Sequence, residues 1–324
     1  MIRKTVRTFA TMAIVTCAAS AAAGERRYAL IVSGAAGGSE YAGQYDGWSA
    51  ALSTTLVENV RFDPQLVTVL SDTTRTDAAA TAANVRRAIG SIRGRMTRDD
   101  LLLVVLIGHG TFDGTDAKFN LVGPDLESAE WAALLRPLPG RLVFVNTSAA
   151  SFPFVERLGG PRRIVITATD SAAQRFDTMF PEYFIHAFSD EAADIDKNGR
   201  VSIWEAFSAA SAGVRRHYQQ RGQLSAERAL LDDTGDGVGK DAADPGDEGA
   251  LASRTYLDES LPGAAPTDEV LIKLLQRRSR LEADADDLRI RRQFLPAAEY
   301  RQEFERLMVE LAKVSQEIRA RTKT

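Results

Sequence analysis

The feature that most constrains the fold is a run of seven apolar residues, from Leu101 to Ile107, that ends in Gly-His-Gly. An unbroken run of Leu, Val and Ile is typical of a strand covered on both faces, in the middle of a parallel sheet. In open α/β sheets, ligands bind outside the carboxyl ends of the strands. His109 sits at such an end and is therefore a candidate for chemistry, although a histidine that only caps a turn would give the same pattern.

Other apolar runs alternate with amphipathic segments along the chain. Strands that alternate with helices pair in parallel through right-handed crossovers. The sequence therefore predicts an α/β fold with a doubly wound, mainly parallel sheet. The further predicted strands lie near 28–33, 65–70, 141–146 and 163–168, and the predicted helices near 48–60, 84–96 and 127–135.

The chain begins with a segment that we expect to be removed. Residues 1–23 combine three cations, an apolar stretch and a run of alanines, which is the pattern of a secretory signal. This predicts an exported protein, periplasmic or extracellular, with no membrane span, because the apolar stretch is too short to cross a bilayer. The single cysteine, Cys17, lies in this segment, so the mature protein would have no disulfide and no cysteine nucleophile.

The charge of the chain limits its partners. The formal net charge is −4, and loss of the signal's three cations would make the mature chain more acidic. An acidic chain gives no basis for binding nucleic acid or anionic membranes. For the mature protein we expect a main domain at 24–245, a linker at 246–266 and a helical hairpin at 267–324.

The strand predicted at 141–146 ends in Asn146-Thr147-Ser148, one βα unit after the strand that ends in His109-Gly110. This order of elements resembles the caspase/legumain-like cysteine peptidases (peptidase C13-like). The resemblance covers roughly 28–220 and implies a caspase-like sheet in which His109 matches the catalytic histidine. It also implies that Ser148 stands where the family has its cysteine, and that the backbone N–H groups of Gly110 and Ser148 form the oxyanion hole.

A serine at the nucleophile's position changes the chemistry that the resemblance implies. A thiolate is nucleophilic near neutral pH, whereas a serine hydroxyl needs a well-placed base. We therefore expect a pseudopeptidase that binds a peptide or a protein partner without cleaving it. Two other readings remain open: an endopeptidase or related hydrolase that uses Ser148 or Ser151 with His109 as base, and a structural interaction module.

Residues 194–205 fit the twelve-residue EF-hand calcium loop, with Gly199 at its sharp turn. This pattern predicts one Ca²⁺ site with a structural role, and the alternative is a polar turn with a capping carboxylate. The predicted ligands are the side chains of Asp194, Asp196, Asn198, Ser202 and Glu205 and the backbone carbonyl of Arg200.

A second acidic segment starts at Asp232 and places Thr234, Asp236 and Gly237 at similar spacing, but Ala243 stands at the twelfth position. The closing carboxylate of a calcium loop is therefore missing from its usual place. We expect a solvated acidic turn here, with a weak or shared ion site as the alternative.

The C-terminal residues carry two leucine-rich stripes with spacings of three and four. Such spacing predicts two helices that pack as an antiparallel hairpin. Their apolar seam is either satisfied within the hairpin or docks on another subunit, which would make these helices an oligomerisation surface. The first stripe contains Leu271, Leu274, Leu281 and Leu288, and the second contains Tyr300, Phe304, Leu307, Leu311, Val314 and Ile318.

Overall fold

The computed structural model describes residues 25–72, 75–171, 174, 177–225, 227–258 and 295–322, and twelve residues between 270 and 292. The predicted signal at 1–23 lies outside these residues. The described strands are β1 (Arg27–Ser33), β2 (Val67–Leu70), β3 (Leu101–Ile107), β4 (Gly110–Phe112), β5 (Ala117–Phe119), β6 (Leu126–Glu127), β7 (Arg141–Asn146), β8 (Arg163–Thr167) and β9 (Leu230–Asp232). The helices are α1 (Ser39–Thr54), α2 (Ala82–Arg95), α3 (Ser128–Leu135), α4 (Pro153–Leu158), α5 (Phe180–Ala187), α6 (Ile203–Gln220) and α7 (Ala297–Thr322). None of the described helices has the length and hydropathy needed to cross a membrane.

A six-stranded sheet lies at the centre of the protein, with the strand order β2-β1-β3-β7-β8-β9. The first five strands are parallel, and β9 runs antiparallel to β8. All seven residues of β3 are buried, and this strand pairs with β1 on one side and β7 on the other. The predicted α/β class with a doubly wound, mainly parallel sheet is confirmed.

Helices cover both faces of this sheet. Leu103 and Val105 of β3 point into one apolar cluster, which also contains residues of α1, α5 and α6. Leu102 and Val104 point into the other cluster, with residues of α2, α3 and α4. Successive side chains of a strand point to opposite faces, so a strand covered on both sides is apolar throughout. This is the physical reason for the unbroken apolar run at 101–107.

Two regions differ from the prediction. Strands β4, β5 and β6 form a small antiparallel sheet directly after His109, where no strands were expected. A linker was predicted at 246–266, but residues 246–258 pack against the domain. Ala252 and Leu257 are fully buried, and Tyr256 forms a β-bridge with Ser202. The composition of this segment, rich in Asp, Gly and Ala, indicated a loop but not that the loop would be buried.

The C-terminal stripes meet each other. The described residues of 270–288 are helical, and with α7 they form a separate apolar cluster that contains Leu271, Leu274, Leu281, Leu288, Leu307, Val314 and Ile318. Two arginines from the helical segment that carries the first stripe donate hydrogen bonds to backbone carbonyls of the main domain. Arg278 Nη1 donates to the Ile195 carbonyl at 2.6 Å, and Arg280 Nη2 donates to the Gly246 carbonyl at 2.6 Å.

Candidate functional site

His109 and Ser148 lie at the same end of the sheet, after the neighbouring strands β3 and β7. Leu106 of β3 pairs with Asn146 of β7, so both chains leave the sheet at the same level. Gly110 lies directly against Ser148: a Cβ atom at residue 110 would be 2.5 Å from Ser148 Oγ and 2.3 Å from the Ala149 carbonyl oxygen. Glycine at this position therefore permits the close approach of the two chains.

Ser148 is only 1% exposed, and the side chain of Asn146 holds it. Asn146 Oδ1 accepts a hydrogen bond from Ser148 Oγ at 2.7 Å and another from the Ser148 backbone N–H at 3.0 Å. The second contact engages the N–H group that the resemblance assigns to the oxyanion hole. The hydroxyl also lies 3.2 Å from the Ala149 carbonyl oxygen, and the described residues contain no hydrogen bond between the side chains of Ser148 and His109.

His109 is held by partners that the sequence analysis did not identify. Its Nδ1 lies 2.8 Å from Asp177 Oδ1, and its Nε2 lies 3.1 Å from the Ala36 carbonyl oxygen. Carboxylate and carbonyl oxygens both accept hydrogen bonds, so these two partners hold the imidazole ring by its two nitrogens.

Two tyrosines of α1 complete the surroundings of His109. The Tyr45 hydroxyl lies 3.2 Å from both ring nitrogens, and the Tyr41 ring packs edge-on at 4.8 Å between centroids. Burial, followed by the Asp177 carboxylate, raises the pKa of Tyr45, so its hydroxyl stays protonated. The four-residue spacing of the tyrosines indicates one face of a helix, but no local pattern indicated that Asp177 would reach the same place.

Ser151, the other serine considered as a nucleophile, joins two loops. It is fully buried, and its backbone N–H donates to Thr169 Oγ1 at 2.8 Å. The two hydroxyls are 3.0 Å apart, and the Thr169 N–H donates back to Ser151 Oγ at 3.2 Å. These contacts tie the chain after β7 to the chain after β8, which is a structural role.

The loop between α5 and α6 brings three carboxylates together. Oxygen atoms of Asp194, Asp196 and Glu205 all lie within 4.8 Å of one another, so this cluster could hold a metal ion. Gly199 has a φ of 83°, which favours glycine and turns the chain sharply. Ser202 begins α6 as its N-cap, and a capping box joins it to Glu205.

The side chains of the other predicted ligand residues make contacts of their own, and Arg200 was predicted to bind through its backbone carbonyl rather than its guanidinium. Asn198 Nδ2 donates to Asp196 Oδ2 at 2.8 Å, and Asn198 Oδ1 accepts from the Arg200 backbone N–H at 2.8 Å. Ser202 Oγ donates to Glu205 Oε2 at 2.8 Å. The Arg200 guanidinium turns away from the carboxylates, stacks 4.0 Å from the Tyr256 ring centroid and binds Asp258 at 2.5 Å.

Burial makes this carboxylate cluster costly to ionise. Desolvation, followed by repulsion from Glu205, raises the pKa of Asp196 from 3.8 to about 7. Desolvation also raises the pKa of Glu205, although backbone and side-chain hydrogen bonds from Ser202 favour its charged form. A bound cation would remove the repulsion that these groups otherwise feel.

The second acidic segment, which starts at Asp232, has no carboxylate at its twelfth position but receives one from Glu248. Glu248 accepts hydrogen bonds from Thr234 Oγ1 at 2.9 Å and from the Asp233 N–H at 2.6 Å. Oxygen atoms of Asp232, Asp236 and Glu248 lie within 4.8 Å of one another, so this cluster could also hold a metal ion. Glu248 reaches the cluster from farther along the chain, so the residue at the twelfth position of the segment gave no indication of it.

Comparisons with known proteins give little further information. No protein-family model and no curated protein matches the sequence. Among the matching solved structures is protein GSU0716 from Geobacter sulfurreducens, with a TM-score of 0.40 and 16% identity. That match covers 64% of this chain and 93% of the other. A likeness at this level carries no argument about function.

Proposed function

We propose that this protein is an exported, calcium-binding domain of the caspase/legumain-like type that binds a peptide or a protein partner without cleaving it. The observation that carries the proposal is the hydrogen bonding of Ser148. Both its hydroxyl and its N–H donate to Asn146 Oδ1. A serine nucleophile needs a base that accepts its proton, and an oxyanion hole needs N–H groups that point at the substrate. In this arrangement the Ser148 hydroxyl donates to Asn146 rather than to a base, and the Ser148 N–H donates to Asn146 rather than to a substrate.

The strand order supports the resemblance on which the proposal rests. His109 and Ser148 follow neighbouring parallel strands, and Gly110 lies against Ser148, in the order that the caspase/legumain-like motifs imply. The partly exposed surface beside them contains the ring of Tyr41 and the half-buried His109, with the buried Tyr45 packed behind the imidazole. Aromatic rings with polar tips are common anchors at peptide-binding surfaces.

One observation favours a hydrolase as the second candidate. The Asp177 carboxylate is 2.8 Å from His109 Nδ1, which is how an acidic residue orients the base of a serine triad. In that mechanism Ser148 Oγ would leave Asn146, and His109 would exchange its contact with the Ala36 carbonyl for one with Ser148.

Calcium is the metal that fits the cluster at 194–205. The three clustered ligands are carboxylates, and the loop offers no histidine or cysteine. Hard oxygen ligands select Ca²⁺ or Mg²⁺ over zinc and copper. A glutamate that binds through both oxygens suits the irregular, high coordination of Ca²⁺ better than the octahedron of Mg²⁺. The ion would tie α5 to α6 and so stabilise the fold.

A peptide library tests the first two functions together. The mature protein is incubated with diverse peptides, and mass spectrometry records both retained peptides and new chain ends. We expect retained peptides, no new ends, and less retention in Tyr41→Ala and His109→Ala. Tyr300→Ala, on α7, is the matched control and should retain the wild-type amount.

Two outcomes of this experiment would contradict the proposal. Cleavage by the wild type that is lost in Ser148→Ala but kept in Ser151→Ala would establish the hydrolase. Retention that is unchanged in both Tyr41→Ala and His109→Ala would show that this end of the sheet is not the binding surface.

A further inference from the structure

A second cleft opens at the opposite end of the sheet from His109. It lies at the amino ends of β7 and β8, with a volume of ≈ 370 Å³, and residues 138–142 and 157–163 form most of its wall. Strands rise about 3.3 Å per residue, so the six residues of β7 place the two ends of the sheet roughly 20 Å apart. The cleft is therefore separate from the candidate peptide-binding surface.

Four arginines line this cleft: Arg136, Arg157, Arg162 and Arg163. No acidic residue belongs to the lining, and no ion pair within the described part of the chain engages any of the four. Burial, followed by the nearby charge of Arg136, lowers the pKa of Arg163. In a chain with a formal net charge of −4, these side chains concentrate positive charge at one place.

Two of the arginines are held in place by neutral groups. Arg163 donates to the Leu135 carbonyl at 3.0 Å and to the Leu158 carbonyl at 3.2 Å, at the ends of α3 and α4. Arg162 donates to the Pro139 carbonyl at 3.3 Å and also to the Arg98 carbonyl. These bonds hold both guanidinium groups through neutral acceptors, and neither group forms an ion pair within the described part of the chain.

Capping of the last carbonyls of α3 and α4 explains the position of Arg163. It does not explain the arginines on the other side of the cleft. Arg136 and Arg157 are exposed, and their guanidinium groups have no hydrogen-bond or ion-pair partner within the described part of the chain. Arg162 also has a φ of 63°, a left-handed backbone that is unfavourable for a residue with a side chain. Strained backbone persists where the surrounding structure holds it, often at binding sites.

We propose that this cleft binds a tetrahedral oxyanion, such as the phosphate group of a small phosphorylated molecule. Planar guanidinium groups bind phosphate through paired N–H donors, and an anion between four like charges removes their mutual repulsion. Two groups already held by backbone carbonyls lose little conformational freedom on binding. Long polyanions such as nucleic acid do not fit, because the rest of the chain is acidic.

Titration with inorganic phosphate at constant ionic strength tests the site, and calorimetry measures the binding. Calcium is left out of the buffer because calcium phosphate would precipitate. We expect saturable binding by the wild type that weakens about tenfold or more in Arg136→Gln/Arg157→Gln. Both side chains are exposed, so the double variant should fold normally, and its melting curve in chloride checks this.

The matched control is Arg216→Gln/Arg301→Gln, which removes two exposed arginines from α6 and α7. It should bind phosphate like the wild type, and so should His109→Ala, because the two surfaces are separate. Absence of saturable phosphate binding, or an equal loss of affinity in the two arginine pairs, would overturn the proposal. Equal binding of acetate would overturn the assignment to a tetrahedral oxyanion.

Discussion

The carboxylate cluster at 194–205 should make the stability of the protein depend on pH and on calcium in a linked way. The informative change is Asp196→Asn, which removes one negative charge and keeps the shape of the side chain. Glu205→Ala is a less selective change, because Glu205 accepts hydrogen bonds from the backbone N–H groups of Ile195 and Ser202 as well as from the Ser202 hydroxyl.

The magnitude follows from the raised pKa of Asp196. Its folded-state pKa of about 7 exceeds the ordinary value of 3.8, so without calcium the folded protein holds a proton that the unfolded chain has lost. The free energy of unfolding therefore falls as the pH rises from about 4 to about 7. The full change corresponds to roughly 4 kcal/mol, which Asp196 and Glu205 share because the two carboxyl groups titrate as a pair.

Calcium should reverse this loss. An ion that binds only the folded state adds about 2.7 kcal/mol at a hundredfold excess over its dissociation constant. It also replaces the proton on Asp196, so binding near pH 6 should release protons. With no calcium present, Asp196→Asn should be more stable than the wild type at about pH 8, because the relieved desolvation and repulsion exceed the loss of one hydrogen bond of about 1 kcal/mol.

The assay is urea unfolding at about pH 5 and about pH 8. Each protein is measured with a chelator and again with excess Ca²⁺ or Mg²⁺. Asp99→Asn, an exposed aspartate without a partner among the described residues, is the matched control and should behave like the wild type. The reasoning is refuted if the chelated wild type is equally stable at both pH values. An equal calcium response in Asp196→Asn would refute it as well.

Three further changes test the rest of the structure by chemical or thermal unfolding. Gly110→Ala should lower the free energy of unfolding by about 1–3 kcal/mol, because its Cβ would meet Ser148 Oγ at 2.5 Å. Gly43→Ala lies in α1, where an added Cβ meets open space, and it should instead raise the free energy of unfolding slightly. A Gly110→Ala variant more stable than Gly43→Ala would contradict the close contact between Gly110 and Ser148. Asn146→Ala should cost about 1–3 kcal/mol, because it leaves the buried N–H of Ser148 without an acceptor, while the hydroxyl can still donate to the Ala149 carbonyl at 3.2 Å. An unchanged unfolding midpoint would argue against the bond from the Ser148 N–H to Asn146. Deletion of 267–324 should keep the main thermal transition, since the hairpin has its own apolar cluster, and loss of that transition would show that the hairpin completes the core.

Local patterns were sufficient for much of the fold. The apolar run at 101–107 predicted a central strand, because only a strand covered on both faces lacks polar alternation. The leucine spacing near the C-terminus predicted helices that meet along one seam, since residues three and four apart share a helix face. The loop at 194–205 brings its three carboxylates together because twelve residues of chain can curl around one point with a glycine at the turn. In each case the determining residues are neighbours in sequence.

Contacts between distant parts of the chain were decided by the tertiary structure alone. Tyr45 lies 64 residues from His109 in sequence, and Asp177 follows a different strand, yet both contact the same imidazole. Glu248 reaches Thr234 across 14 residues, farther than the spacing of a calcium loop allows. The sequence also placed Ser148 beside His109 without showing that Asn146 binds both of its donors. Strand order and loop path set such contacts, and those depend on how whole elements pack rather than on any local period.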